Sequence, residues 1–117
     1  MSESIVKNKS FELAVQGVNF YKLLISEKKE FVISKQFLRS VTSIGANVRE
    51  AINAQSKADF IHKLLISQKE CDETLYWLEL LKETNYISDL EFQPLHELST
   101  EVLKIIRSII ITSKKNS

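Results

Sequence analysis

The chain has 117 residues, of which only two are glycine and one is proline. That scarcity constrains the fold more than any motif. Many-stranded folds need a turn roughly every 8–12 residues, and turns draw on Gly, Pro, Asn and Asp. Phosphate-cradling loops need clustered glycines, because only a bare backbone approaches the ligand closely enough. Gly17 and Gly45 stand far apart, so both classes are excluded. Long helices with few connections are left. At 44% hydrophobic and 26% charged residues, the composition is that of a globular protein and not of a disordered one. A chain of this length is expected to fold as one domain, 1–117, without metal or disulfide staples, which become usual only below about 40 residues.

Hydrophobic period divides the chain into four helical segments, 10–28, 34–54, 56–84 and 88–113. In the first, Ser10 reads as the N-cap. Phe11, Val15, Val18, Leu24 and Ile25 lie near one stripe, which Leu13, Phe20 and Tyr21 widen. In the second, Phe37, Val41, Ile44, Val48 and Ala51 alternate spacings of four and three. The third opens with Ser56 and Asp59 in a capping pattern and stops at Asn85, which tolerates the left-handed conformation. The fourth opens on the Ser88–Glu91 capping box, with Pro94 near its first turn. Its isoleucines would suit a strand, but Leu95, Leu98, Val102, Ile105 and Ile109 keep helical spacing and no partner strand exists. Helices of about 20 residues are about 30 Å long. Short connections make neighbours antiparallel, so the fold class is all-α, an antiparallel up-down-up-down four-helix bundle. The apolar faces are wider than a lone bundle hides. Helix three carries Phe60, Leu64, Leu65, Tyr76 and Trp77 on well over one face. The surplus implies a subunit interface, or else a thick core with scattered exposed apolar residues.

Lys and Arg number 16 and Asp and Glu 15, a net charge of +1, whereas a dedicated nucleic-acid binder is usually strongly basic. The charge is uneven: residues 1–69 hold 11 basic and 6 acidic side chains, residues 70–117 hold 5 and 9. Cys71 stands alone, which excludes a disulfide framework and a thiolate metal site and makes a reducing cytoplasmic location the expectation. Met1–Ser10 carries no apolar signal segment, and no run approaches the roughly 18 apolar residues of a membrane span, so no membrane partner is expected. Asp59 and His62 resemble half of a di-metal bundle site, but Gln93 holds the matching place before His96. No nucleophile motif is present. Cys71 sits at seven-residue spacing between Leu64 and Leu78, a core position. The expectation is a protein that is not an enzyme, with no catalytic residue, cofactor or metal.

Two polar features remain. Ser43, Asn47 and Glu50 in helix two, and Ser67, Glu70 and Thr74 in helix three, keep bundle spacing beside the apolar stripes. They read either as a buried hydrogen-bonded layer fixing the register of the two helices, with Arg39 or Arg49 as partner of Glu50 or Glu70, or as a rim in water. Basic residues Lys22, Lys28, Lys29, Lys35, Arg39, Lys104, Arg107 and Lys114 are the candidates for contact with RNA or DNA. The competing reading is a set of solvated helix faces, since no aromatic interleaving marks a single-strand platform.

The run from Arg39 to Ala51, RSVTSIGANVREA, resembles the helix-two signature of the four-helix bundle proteins encoded in intervening sequences of bacterial 23S rRNA genes. The run from Phe60 to Leu81, FIHKLLISQKECDETLYWLELL, with Asn85-Tyr-Ile87 after it, is similar to that family's third helix. The resemblance covers about Phe11 to Ile87, and the fourth helix only by pattern. It implies a homopentameric ring of antiparallel bundles, no established enzymatic activity, and a genomic association with rRNA that reveals no mechanism. The accessory protein of diversity-generating retroelements has a similar fold and is a basic, nucleic-acid-binding pentamer, from which this nearly neutral chain departs. Ser43, Asn47 and Glu50 match family positions and carry over as structural ones.

Overall fold

The computed structural model describes residues 2–116. They form four helices, α1 (Ser2–Ser26), α2 (Ile33–Ile52), α3 (Lys57–Glu83) and α4 (Asp89–Lys115), with no strand among the described residues. The bundle measures 47 × 21 × 19 Å. α1 packs on α2 and α4, and α3 packs on the same two helices, so the four stand at the corners of a square. Paired contacts run in opposite chain directions across every seam. Lys9 meets Glu101 and Lys28 meets Glu91 between α1 and α4. Asp72 meets Arg107 and Lys82 meets Asp89 between α3 and α4. Arg39 meets Glu73 and Glu50 meets Lys63 between α2 and α3. Phe11 lies under Arg49, and Phe20 meets Phe37 edge to face, between α1 and α2.

The helix ends follow their side-chain chemistry. Ser88 and Glu91 close a full capping box: the Glu91 carboxylate accepts from the Ser88 N–H at 2.8 Å and the Ser88 hydroxyl accepts from the Glu91 N–H at 3.2 Å. The Ser88 N–H holds the Glu91 carboxyl below the usual range against the opposing effect of desolvation, with Lys28 helping to lower it. Ser56 caps α3 through the Asp59 N–H at 3.1 Å. Asn85 takes the left-handed conformation, φ 66°, after α3. Lys29 does the same after α1, φ 57°, where a glycine would be the easier choice. The start of α2 has no side-chain cap from its own N-cap residue, Val32. Buried Glu30 takes that role. Its carboxylate accepts from the N–H groups of Val32, Ile33 and Ser34 at 3.2, 3.0 and 2.6 Å, and the Ser34 hydroxyl donates back to the Glu30 carbonyl at 2.8 Å.

The core confirms some expectations and moves others. Phe37, Val41, Ile44, Val48 and Ala51 are all buried, as are Leu64, Cys71 and Leu78. In α1 the expected stripe is displaced. The helix begins at Ser2 and not at Ser10, which is a buried mid-helix residue donating to the Lys7 carbonyl at 3.2 Å. The buried face is Val6, Ser10, Leu13, Gly17, Phe20 and Leu24, while Phe11 and Val15 are exposed and Val18 and Ile25 half-buried. Small residues at two core positions hid that face from a reading of apolar residues alone. In α4 the stripe drifts from Leu95, Leu98 and Val102 onto Ile106 and Ile110, leaving Ile105 and Ile109 at its edge. Pro94 lies in the second turn, so the Leu90 carbonyl lacks its intrahelical donor.

Both glycines face the α1/α2 seam. A Cβ on Gly17 would stand 2.6 Å from Val41 Cγ1, and a Cβ on Gly45 would stand 3.3 Å from the Ser10 carbonyl oxygen. Glycine inside a helix costs about 1 kcal/mol relative to alanine, so these positions keep it for contact distance. Gly17→Ala is therefore expected to lower stability by about 1–2 kcal/mol, overpacking against the stiff Val41 outweighing better propensity. In a Val41→Ala background the same change should be neutral or stabilising; urea denaturation of the four-member cycle reads both, and a stabilised Gly17→Ala single variant would refute the account. Glu30→Ala should cost about 1–2 kcal/mol by uncapping α2, with Glu30→Gln retaining part of that loss, again by urea denaturation.

Candidate interaction surfaces

The α2/α3 seam brings half of the expected polar layer together. Ser67 and Thr74 are fully buried, and the Ser67 hydroxyl donates to the Ile44 carbonyl at 2.7 Å. The Thr74 hydroxyl lies 2.9 Å from the Ser40 hydroxyl, itself buried and donating to the Phe37 carbonyl at 3.1 Å. Glu70 is buried beside Arg39, 3.7 Å away, and its Oε1 has no hydrogen-bond partner among the described residues. The α2 half lies further out. Ser43 and Asn47 are half-buried and bond within their own helix, to the Arg39 and Ser43 carbonyls. Glu50 is exposed and pairs at 2.9 Å with Lys63, whose pKa this hydrogen bond and charge raise. Arg39 is thus the partner of Glu70, and Lys63, not an arginine, is the partner of Glu50. Ser40 and the Ile44 carbonyl are the α2 groups that sequence spacing missed, because serine at a core position leaves no apolar signal.

The basic candidates do not gather on one face. Lys22, Lys28, Lys29 and Lys35 lie on or near the α1–α2 turn, while Lys104, Arg107 and Lys114 climb α4 toward the other end. From Glu91, which touches Lys28, the climb to Lys114 is about 35 Å at helical rise. Several are engaged within the chain, among them Lys28 with Glu91 at 3.2 Å, Arg39 with Glu73 at 2.9 Å and Arg107 with Asp72 at 3.8 Å. Lys22, Lys29, Lys35 and Lys104 are exposed.

His62 is exposed; His96 is half-buried, stacked on Phe92 at 4.7 Å and 3.6 Å from Glu79. Among the described residues no group of three or more His, Cys, Asp and Glu is placed to hold a metal ion, and no helix is long and apolar enough to cross a membrane. Cys71 is fully buried, and desolvation, helped by the neighbouring Asp72 charge, pushes its thiol up to about 12. A nucleophilic thiol needs the opposite shift.

The largest departure from a simple bundle surface is apolar. α1 has a second face, with Phe11 55% and Val15 45% exposed. Beside it, Phe11, Ala14, Gly45 and Ala46 line an open groove of about 340 Å³ with Lys7 and Arg49 at its rim. The Arg49 guanidinium lies 5.3 Å from the Phe11 ring centre. On α3, Tyr76 is 57% exposed, edge-on to Trp77 at 5.0 Å.

Fold and surface together define an antiparallel helical-bundle protein whose distinctive features are tight small-residue seams and an exposed apolar groove. The chain belongs to the family of 23S rRNA-intervening sequence proteins, which matches residues 2–108. It is similar to the crystal structure of a protein with unknown function from the S23 ribosomal protein family of Bacteroides thetaiotaomicron VPI-5482, with 57% sequence identity over 94% of this chain and 98% of that one, and a TM-score of 0.92. No curated protein matches the chain.

The buried thiol yields a pH prediction. Its folded pKa of about 12 lies above the ordinary value of 9.0, so folded and unfolded chains both keep the proton below pH 9. Above that, the unfolded chain alone releases it, and stability falls as pH rises toward 12. Between pH 8 and pH 10 the wild type should lose about 1.3 kcal/mol more than Cys71→Ala does. Equal losses in urea denaturation would show that the thiol is not buried as described.

Proposed function

We propose that this chain is a non-enzymatic building block of a homo-oligomer, pentameric as the family resemblance implies, acting in the cytoplasm. The observation that carries this reading is the two-faced α1: one face is in the core, and a second apolar face at Phe11 and Val15 has no cover within the chain. An exposed contiguous apolar surface costs solubility unless a partner removes it from water. The buried polar contacts of Ser40, Ser67 and Thr74 across the α2/α3 seam then serve as a register element, with Ser43, Asn47 and Glu50 at its rim, keeping each bundle in one packing so that its outer faces are presented alike.

A second reading is a nucleic-acid-binding accessory factor for rRNA processing or for a retroelement. The exposed lysines Lys22, Lys29 and Lys35 near one end favour it, because a ring of subunits would sum them. Light scattering at micromolar concentration tests the first reading. A mass of about 68 kDa, five times 13.5 kDa, is expected, and a strict monomer would overturn it. Gel shift with RNA and DNA tests the second. Phosphate contacts strengthen steeply as salt falls, so absence of binding at about 50 mM salt removes it.

A further inference from the structure

We infer that the α1/α2 groove receives the Tyr76 ridge of a second copy of this chain. The inference rests on the oligomeric reading above and adds which two surfaces meet. The groove offers an apolar floor at Ala14, Gly45 and Ala46 and a rim of one sign, Lys7 and Arg49, with no acidic residue lining it. Arg49 is stacked on Phe11, and neither Arg49 nor Lys7 forms an ion pair among the described residues. The ridge carries the complement. Along the outward face of α3, Asp72, Glu79 and Glu83 lie four residues before, three after and seven after Tyr76, and all are exposed. Helical spacing places these four side chains in one row. Asp72 and Glu79 reach internal partners only at 3.8 and 3.6 Å, and Glu83 forms no ion pair among the described residues. Trp77 braces the Tyr76 ring from the side.

An aromatic knob flanked by carboxylates therefore faces an apolar groove flanked by cations. Tyr and Arg are the residue types that most often anchor interfaces, and opposite fields steer the encounter. The chain cannot satisfy itself, because α3 stands diagonal to α1 and its Tyr76 face is exposed on the outside of the bundle. Groove-to-groove pairing would set Lys7 and Arg49 against their own copies, which costs several kcal/mol for juxtaposed like charges. Ridge-into-groove is thus a head-to-tail contact, which closes into a ring or runs on as a filament according to the rotation at each step.

Two exposed-site variants test it, Ala46→Glu in the groove and Tyr76→Lys on the ridge, each checked for an unchanged circular dichroism melt. Analytical ultracentrifugation of each alone should show self-affinity weakened at least tenfold. An equimolar mixture should regain at least the one-to-one heterodimer, because the Tyr76→Lys chain keeps its groove and the Ala46→Glu chain keeps its ridge. A wild type that assembles while both variants keep its mass overturns this inference and leaves the oligomeric reading standing. A mixture that stays monomeric also overturns it, since an acidic peptide of another protein would then be the better occupant of the groove. A wild type that is monomeric at about 100 µM, where a contact with a Kd of about 10 µM is largely formed, overturns both readings together.

Discussion

The close approach of α1 to α2 is the contact on which the rest of the bundle depends. At Gly17 and Gly45 the missing side chains let each helix backbone sit against Val41 and Ser10 of its neighbour, nearer than a Cβ would allow at Gly17 and as near as a tightly packed one at Gly45. Both glycines are spent on one seam. Helices that approach this closely gain dispersion contacts along their whole length, and those contacts vanish together if the gap opens by an ångström. The same approach explains the outer surface. With small residues at its inner positions, α1 sinks toward α2, and the flanking Phe11, Ala14 and Ala46 line a groove open to the outside.

The α2/α3 seam is joined on a different principle. Ser40, Ser67 and Thr74 are buried there with hydrogen bonds that cross or brace the helices. Each such bond adds only about 1 kcal/mol net, while a broken one leaves a buried polar group at about 1–3 kcal/mol. The asymmetry makes the seam poor adhesive and strong register. A slip of α3 by one turn would carry Ser67 away from the Ile44 carbonyl and Thr74 away from Ser40 at the same time. Adhesion comes from the apolar side chains on either side, of which Phe37, Ile44, Leu64 and Leu78 are fully buried.

What could be read in the sequence follows from which residue types carry an unambiguous signal. The α2 stripe was legible because Phe37, Val41, Ile44, Val48 and Ala51 carry its core spacing even with the buried Ser40 and Gly45 beside them, and the start of α4 because Ser88 and Glu91 stand at capping-box spacing. The core face of α1 was not, since Ser10 and Gly17 occupy core positions and Phe11 and Val15 do not. Had small residues been counted as core, the alternation Val6, Ser10, Leu13, Gly17, Phe20, Leu24 would have shown it. The cap of α2 was hidden for another reason. Capping rules look for Ser, Thr, Asp or Asn beside the helix, whereas Glu30 folds its longer chain back onto three N–H groups from outside it. Of the polar residues at bundle spacing, Ser67, Glu70 and Thr74 lie buried on α3, while Ser43, Asn47 and Glu50 lie further out on α2, because spacing alone does not distinguish a seam from its rim.

The displaced α1 stripe is more informative than a correct one would have been. Phe11, Val15, Val18 and Ile25 do form a helical row, but it flanks the core instead of entering it. The inward row mixes the small Ser10 and Gly17 with the large Val6, Leu13, Phe20 and Leu24, so α1 sits close to α2 and still fills the core. Phe11 and Val15, on the flanking row, stay exposed. Charge points the same way. The α1/α2 groove is rimmed by cations and the outward face of α3 by carboxylates, so the unevenness between the two halves of the sequence becomes a polarity between opposite sides of the bundle. The proposed head-to-tail contact would use that polarity, because each step would bury an apolar groove and pair unlike charges together.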